Sequence, residues 1–210
     1  SMGEQEDLFL EAMIRKNWRM PKQNKVTPTE FSEAYQKVLA WFFAYPNREF
    51  GLNELADELR ISKIAANKVV LRLAREGFLK REVLGKIWRI SCDKHHIYNV
   101  TSKIAYNLNL IYQSSILGEI LRKIKSPRAI ILFGSYRKGD DTEESDIDIG
   151  IEVLGANKTE IVVLGALPRL GYRKNVKVNL LKFSRNNINT NLFANIANGI
   201  VLYGFLEVKP

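Results

Sequence analysis

The chain has 210 residues, a formal net charge of +9 from 32 Lys+Arg against 23 Asp+Glu, 46% hydrophobic and 10% aromatic residues. This composition excludes a disordered, collagen-like or coiled-coil chain, and no apolar run is long enough for a membrane span. The basic balance favours a polyanionic partner such as nucleic acid or a nucleotide. The first residues, Ser1 to Asp7, are acidic and polar, unlike a secretory signal. Cys92 is the one cysteine and has no partner for an internal disulfide, which suits a reducing, cytoplasmic location.

Residues 6–20 read as a short helix carrying Leu8, Phe9, Ala12, Met13 and Trp18, ended by Pro21. Thr27-Pro28-Thr29-Glu30 predicts a second helix start, followed by Phe31, Tyr35, Val38, Leu39 and Phe42 at helical spacing. Leu52–Arg60 predicts a short amphipathic helix with Asn53 as a cap. Ile61-Ser62 is a tight turn with a second cap at Ser62. A longer helix follows from Lys63 to Glu76, with Ile64, Ala65, Val69, Leu71 and Leu73 among its apolar positions, and Gly77 stops it. Phe78–Val83 and Ile87–Ile90 then predict a hairpin turning at Leu84-Gly85-Lys86.

Residues 97–125 read as two helical segments, and Ser126-Pro127 marks a boundary. Beyond it strands alternate with helices. Strands are expected at Ala129–Phe133, Asp146–Val153, Asn175–Phe183 and Ile200–Phe205, and helices near Lys158–Leu170 and Asn186–Ala197.

The order of short helix, tight turn, longer helix and hairpin resembles the winged helix-turn-helix family over Leu52–Ile90. The phrase Leu73-Ala74-Arg75-Glu76-Gly77-Phe78-Leu79 is similar to that family's entry into its wing. The resemblance implies double-stranded DNA as a partner, with Lys63, Lys68, Arg72, Arg75 and Lys86 toward phosphates, and a homodimer on a palindromic site.

The chemistry concentrates in Ile131-Leu132-Phe133-Gly134-Ser135-Tyr136-Arg137-Lys138-Gly139 and Ser145-Asp146-Ile147-Asp148-Ile149. On a strand, Asp146 and Asp148 share one face and the isoleucines the other. Paired carboxylates repel unless a cation lies between them, and their oxygens suit Mg²⁺ or Mn²⁺. Gly134 allows a phosphate close to the backbone, and Arg137 and Lys138 add positive charge nearby.

A Gly-Ser turn followed ten residues later by Asp-x-Asp resembles the DNA polymerase β superfamily of nucleotidyltransferases. It is most similar to the minimal nucleotidyltransferase (MNT) branch, many of whose members are antitoxins paired with HEPN-domain toxins. The resemblance covers roughly residues 128–206, including the closing phrase Asn195–Gly204. It implies that Gly134, Ser135 and Lys138 hold a nucleoside triphosphate and that Asp146 and Asp148 bind catalytic metal. It also implies a HEPN-type toxin as partner. The family's third carboxylate is matched by Asn179 in Val178-Asn179-Leu180, an amide that cannot take a proton. Glu152, on the Asp146/Asp148 face by parity, is a substitute ligand in principle.

The whole predicts an α+β chain: a helical extension (1–26), a winged helix-turn-helix (27–94), a helical linker (95–127) and a mixed sheet flanked by helices (128–210). Two functions follow. One is metal-dependent transfer of a nucleoside monophosphate from NTP to an acceptor hydroxyl, coupled to DNA binding. The other is a catalytically weak or inactive regulator or antitoxin that binds DNA and a toxin.

Overall fold

The computed structural model describes residues 32–208. The expected helix at 6–20, the helix start at Thr27-Pro28 and Phe31 lie outside the described residues. Residues 32–208 make one compact unit. Among the described residues, no helix is long and apolar enough to cross a membrane.

The N-terminal part is helical. Helix α1 (Glu33–Ala44) is capped by the Ser32 hydroxyl, which accepts from the Tyr35 N–H, and buries Tyr35, Val38, Trp41 and Phe42. Helix α2 (Leu52–Leu59) starts two residues earlier than an Asn53 cap allows. Its cap is Gly51, whose N–H donates to the Glu54 side chain at 3.2 Å. Helix α3 (Lys63–Arg75) is capped by Ser62, as expected, with the hydroxyl accepting from the Ala65 N–H at 3.1 Å.

The buried stripe of α3 is Ala66, Val69, Val70 and Leu73. Ile64 and Leu71, read from the sequence as part of its apolar face, are instead 82% and 36% exposed. At 100° per residue they lie opposite Ala66 and Leu73, and only one stripe can face the core. Strands β1 (Leu79–Leu84) and β2 (Ile87–Cys92) form the expected hairpin, with Leu84 opposite Ile87. An isolated bridge from Phe50 to Ile90 ties the hairpin back to the start of α2.

A 3-10 turn (Ile97–Asn99) leads into α4 (Ser102–Gln113) and α5 (Ile116–Lys123), the two expected linker helices. Then come β3 (Ala129–Phe133), the one-turn helix α6 (Ser135–Lys138), β4 (Ile147–Glu152), β5 (Glu160–Leu170), β6 (Arg173–Phe183), α7 (Thr190–Ala197) and β7 (Ile200–Gly204). The strands form a five-stranded mixed sheet in the order β5-β6-β4-β3-β7, with only β4 and β6 parallel.

The helix expected near Lys158–Leu170 is strand β5. Its apolar run reads ambiguously by period, but Ile161, Val162 and Val163 are β-branched in succession, and Gly165 sits at a bulge against β6. Pro168 is tolerated because β5 is an edge strand.

Helices α4 and α5 cover one face of the sheet. Ile111, Ile116 and Ile120 there meet Ile130, Leu132, Ile147, Ile149 and Ile151. Helix α7 covers part of the other face, with Ile196 among Ala129, Ile131, Leu181 and Phe183. A Cβ on Gly150 would stand 2.9 Å from the Ile196 side chain, so glycine lets α7 lie against β4.

Candidate functional site

The sheet brings the chemistry-bearing residues to one end of the face that α7 only partly covers. β3 ends at Phe133, which pairs with Asp148 on β4, and Asp148 pairs with Asn179 on β6. Directly paired residues share a face, so the turn after β3, the Asp pair and Asn179 meet at one place. Asp146 lies just before β4, and both carboxylates are half-buried.

Gly134 has φ +75 and ψ −154, a conformation that disfavours any side chain. A Cβ there would also stand 2.6 Å from Asp148 Oδ2. The glycine therefore lets the carboxylate sit against the turn. Helix α6 starts at Ser135; Gly134 is its cap and no side chain caps it. Lys138 is exposed at its end, and Arg137 Nε donates to the Asn198 carbonyl at 2.8 Å.

Asn179 Nδ2 donates to Asp146 Oδ2 at 3.2 Å and to Asp148 Oδ1 at 3.3 Å. One neutral amide thus bridges two carboxylates that would otherwise repel. Burial pushes the Asp148 carboxyl above its ordinary range; the Asn179 hydrogen bond opposes this and the Asp146 charge adds to it.

Among the described residues, no group of three or more His, Cys, Asp and Glu side chains is placed to hold a metal. The donor set is therefore the two carboxylates, toward which Asn179 turns its amide N–H. That set fits one hard cation of the Mg²⁺ kind, which is often held by one or two carboxylates together with substrate phosphates. Glu152 does not join it. It is 2% exposed, lies at the far end of β4 opposite Ala129, and pairs with Arg185 at 3.2 Å.

The loop carrying Asp146 is fastened from below by residues the sequence reading passed over. Arg173, 6% exposed on β6, donates to the carbonyls of Glu143 at 2.8 Å and Ser145 at 2.7 Å, and to the Tyr136 hydroxyl. Burial holds its guanidinium below the usual arginine range. Lys103 and Asn107 on α4 hold Asp141. Lys103 Nζ donates to its carbonyl at 2.6 Å and lies 3.5 Å from its carboxylate, and Asn107 Nδ2 donates to the carboxylate at 2.8 Å. Burial pulls the Lys103 ammonium down and pushes the Asp141 carboxyl up, against the attraction between them. In the sequence, Asp141 sits in a run of acids that looks like a solvated loop, and nothing local marks it as buried.

The residues expected to face DNA are on the surface. Lys63, Lys68, Arg72, Arg75 and Lys86 are all exposed. Arg72 also has internal ties: its Nε donates to Glu76 at 2.9 Å and its guanidinium lies 4.4 Å over the Tyr35 ring. Arg81 lies 4.4 Å over Trp88 on the hairpin, so Trp88 is a half-buried platform rather than core. Trp41 is buried. His96 is structural: Nδ1 accepts from the Tyr98 N–H at 3.2 Å, and Nε2 donates to the Glu76 carbonyl at 3.0 Å.

Residues 116–205 match the family described as Polymerase beta, Nucleotidyltransferase. That span runs from α5 to β7 and contains the whole constellation. This part of the chain is a nucleotidyltransferase-like domain of the DNA polymerase β superfamily. No curated protein matches the chain in sequence. Among solved structures, a mutant of ZitR from Lactococcus lactis is similar at 16% identity, covering 60% of this chain and 86% of that one, with a TM-score of 0.34. Wild-type Lactococcus lactis ZitR in complex with DNA is similar at 15% identity, covering 59% and 92%, with a TM-score of 0.26. Likeness at these scores carries no argument about this chain.

Proposed function

We propose that residues 128–206 bind a nucleoside triphosphate with Mg²⁺ or Mn²⁺ and transfer its monophosphate to an acceptor hydroxyl, and that the helix-turn-helix and hairpin bind double-stranded DNA. The observation that carries the first part is the convergence of Gly134, Asp146, Asp148 and Asn179 at one end of the sheet. Asp146 and Asp148 would hold the cation, which neutralises triphosphate charge and polarises the phosphoryl group. The Gly134-Ser135 turn and Lys138 would hold the phosphates. In the reaction, the acceptor oxygen bonds to the α-phosphorus, the bond to the β-phosphate oxygen breaks, and pyrophosphate leaves. The hydroxyl proton passes to solvent, because Asn179 has no basic oxygen to receive it.

A second reading rests on that same amide. With a neutral group where a third carboxylate is expected, nucleotide binding can persist while transfer is slow or absent. The chain is then a regulator or antitoxin that binds DNA as a homodimer and pairs with a HEPN-type toxin. The surface of α3 favours DNA in either reading, since it carries no acidic residue.

Titration calorimetry with NTP in Mg²⁺, and again in EDTA, tests the site. Binding should require metal and should vanish in the double variant Asp146→Asn, Asp148→Asn. Equal binding by parent and double variant sinks the site assignment. Labelled NTP, offered with and without the toxin partner, separates the two readings: incorporated label supports transfer, and binding without incorporation supports the regulator.

A further inference from the structure

A cleft of about 740 Å³ opens where α1, α2 and the β5–β6 hairpin meet. Lys37, Trp41 and Tyr45 of α1 line it at every fourth residue, in one row along the helix. Trp41 touches rings from both neighbours: Phe50 at 5.4 Å, just before α2, and Tyr172 at 5.2 Å, on the hairpin turn. Tyr45 and Tyr172 are half-buried. The Trp41 indole N–H is buried and has no hydrogen-bond partner among the described residues. Buried polar groups are nearly always paired, so this donor lacks an acceptor that the chain itself does not supply.

The hairpin and α2 bring opposite charges to the cleft. Arg169 and Lys174, directly paired on β5 and β6, line the hairpin side. Arg48 lies over the Tyr45 and Phe50 rings at 5.1 and 5.0 Å. Asp57 and Glu58 line the cleft from α2, and Arg60 follows at the end of that helix. All six are exposed, and none is in an ion pair among the described residues. Glu54, a third acid of α2, accepts from the Gly51 N–H.

Cations beside accessible aromatic rings suit a single nucleic-acid strand, whose phosphates meet the cations while its bases stack on the rings. A duplex keeps its base faces covered. Carboxylates repel phosphates but accept from amino groups on base edges, as Asp and Glu do from cytosine N4. Thymine presents an acceptor oxygen at that position and offers a carboxylate nothing.

We propose that this cleft binds single-stranded nucleic acid, with phosphates on Arg48, Arg169 and Lys174, a base against Tyr45 and Tyr172, and amino-bearing bases favoured over thymine by Asp57 and Glu58. The site requires neither nucleotidyl transfer nor the duplex surface of α3.

Labelled oligo(dC) and oligo(dT) of about ten nucleotides are titrated with the full chain at low salt and followed by fluorescence anisotropy. Oligo(dC) should bind about tenfold more tightly than oligo(dT), and an unlabelled duplex should displace it poorly. Arg169→Ala with Lys174→Ala should weaken both strands by about tenfold and flatten the salt dependence, because fewer phosphates are neutralised. Asp57→Ala with Glu58→Ala should erase the preference for oligo(dC). The four substituted side chains are exposed, and circular dichroism checks that each variant is folded. Equal binding of the two strands by the parent overturns the proposal, as does unchanged binding by the Arg169/Lys174 variant or no binding of any single strand. Full displacement by the duplex or by an acidic peptide such as oligoglutamate makes the contact a general anion site and overturns it as well. None of these outcomes decides duplex binding by α3 or nucleotide binding at Asp146 and Asp148.

Discussion

At the scale of single residues, Asn179 decides what the site can do. Its amide holds Asp146 and Asp148 together without charge. An aspartate there would add a third carboxylate, which draws metal more strongly and can take the acceptor's proton. A general base typically contributes 10²–10⁴-fold, about 3–5 kcal/mol of barrier. Asn179→Asp should therefore raise transfer measured with labelled NTP and Mn²⁺ by about two orders of magnitude, if that position is the base. The variant should also unfold more easily in metal-free buffer, because three clustered carboxylates repel. A rate that stays flat while NTP affinity is intact would assign the chain to the regulator reading. Gly134 belongs to the same residue-scale argument: its missing side chain is what lets Asp148 close on the turn.

At the scale of elements, the turn after β3 and the strand β4 are joined by a loop whose position is set from β6 and α4. Arg173 is central because one planar group ties two loop carbonyls and the Tyr136 hydroxyl. Methionine fills similar volume but offers no donors. Arg173→Met should weaken NTP–Mg²⁺ binding by about tenfold, through loss of about one net hydrogen bond to a charged group. Arg173→Lys should restore only part of it. Calorimetry beside a urea melt separates this from simple unfolding: a lowered midpoint with unchanged affinity would make Arg173 structural only.

The same elements show what sequence makes legible. The Gly134-Ser135 turn and the Asp146/Asp148 pair could be read directly, since a glycine turn and period-two carboxylates carry their geometry within a few residues. Asn179 could be read as well, as a departure from an expected carboxylate. Strand β5 could not, because an apolar run such as Ile161–Leu167 fits a buried helix or a strand until its pairing with β6 is known. Nor could the Lys103–Asp141–Asn107 cluster or Arg173, whose burial depends on partners 28 to 38 residues away in the chain. Glu152 shares the Asp146/Asp148 face by parity, but parity does not give the distance along the strand, and at the far end of β4 it pairs with Arg185 instead.

At the scale of the whole unit, the helical part and the sheet are seamed rather than linked by a tether. The β5–β6 turn places Tyr172 with its ring 5.2 Å from Trp41 of α1, edge to face, and the Tyr45 hydroxyl donates to the Tyr172 carbonyl at 2.8 Å. Asn47 Nδ2 donates to Glu143 at 3.2 Å, on the loop that Arg173 fastens, and Phe43 meets Tyr106 of α4 at 5.8 Å. A seam of buried aromatic rings makes the stability of each side depend on the other. Residues 32–208 should therefore unfold in urea as one transition, with far-UV circular dichroism and tryptophan fluorescence coincident. Tyr172→Ala opens the seam at its aromatic centre and should cost about 2–3 kcal/mol. If the halves can stand apart, the two probes should then separate, since fluorescence follows Trp41 and Trp88, both in the N-terminal half, while dichroism follows the helices of both halves. Two transitions in the parent chain would mean that the seam does not couple the halves.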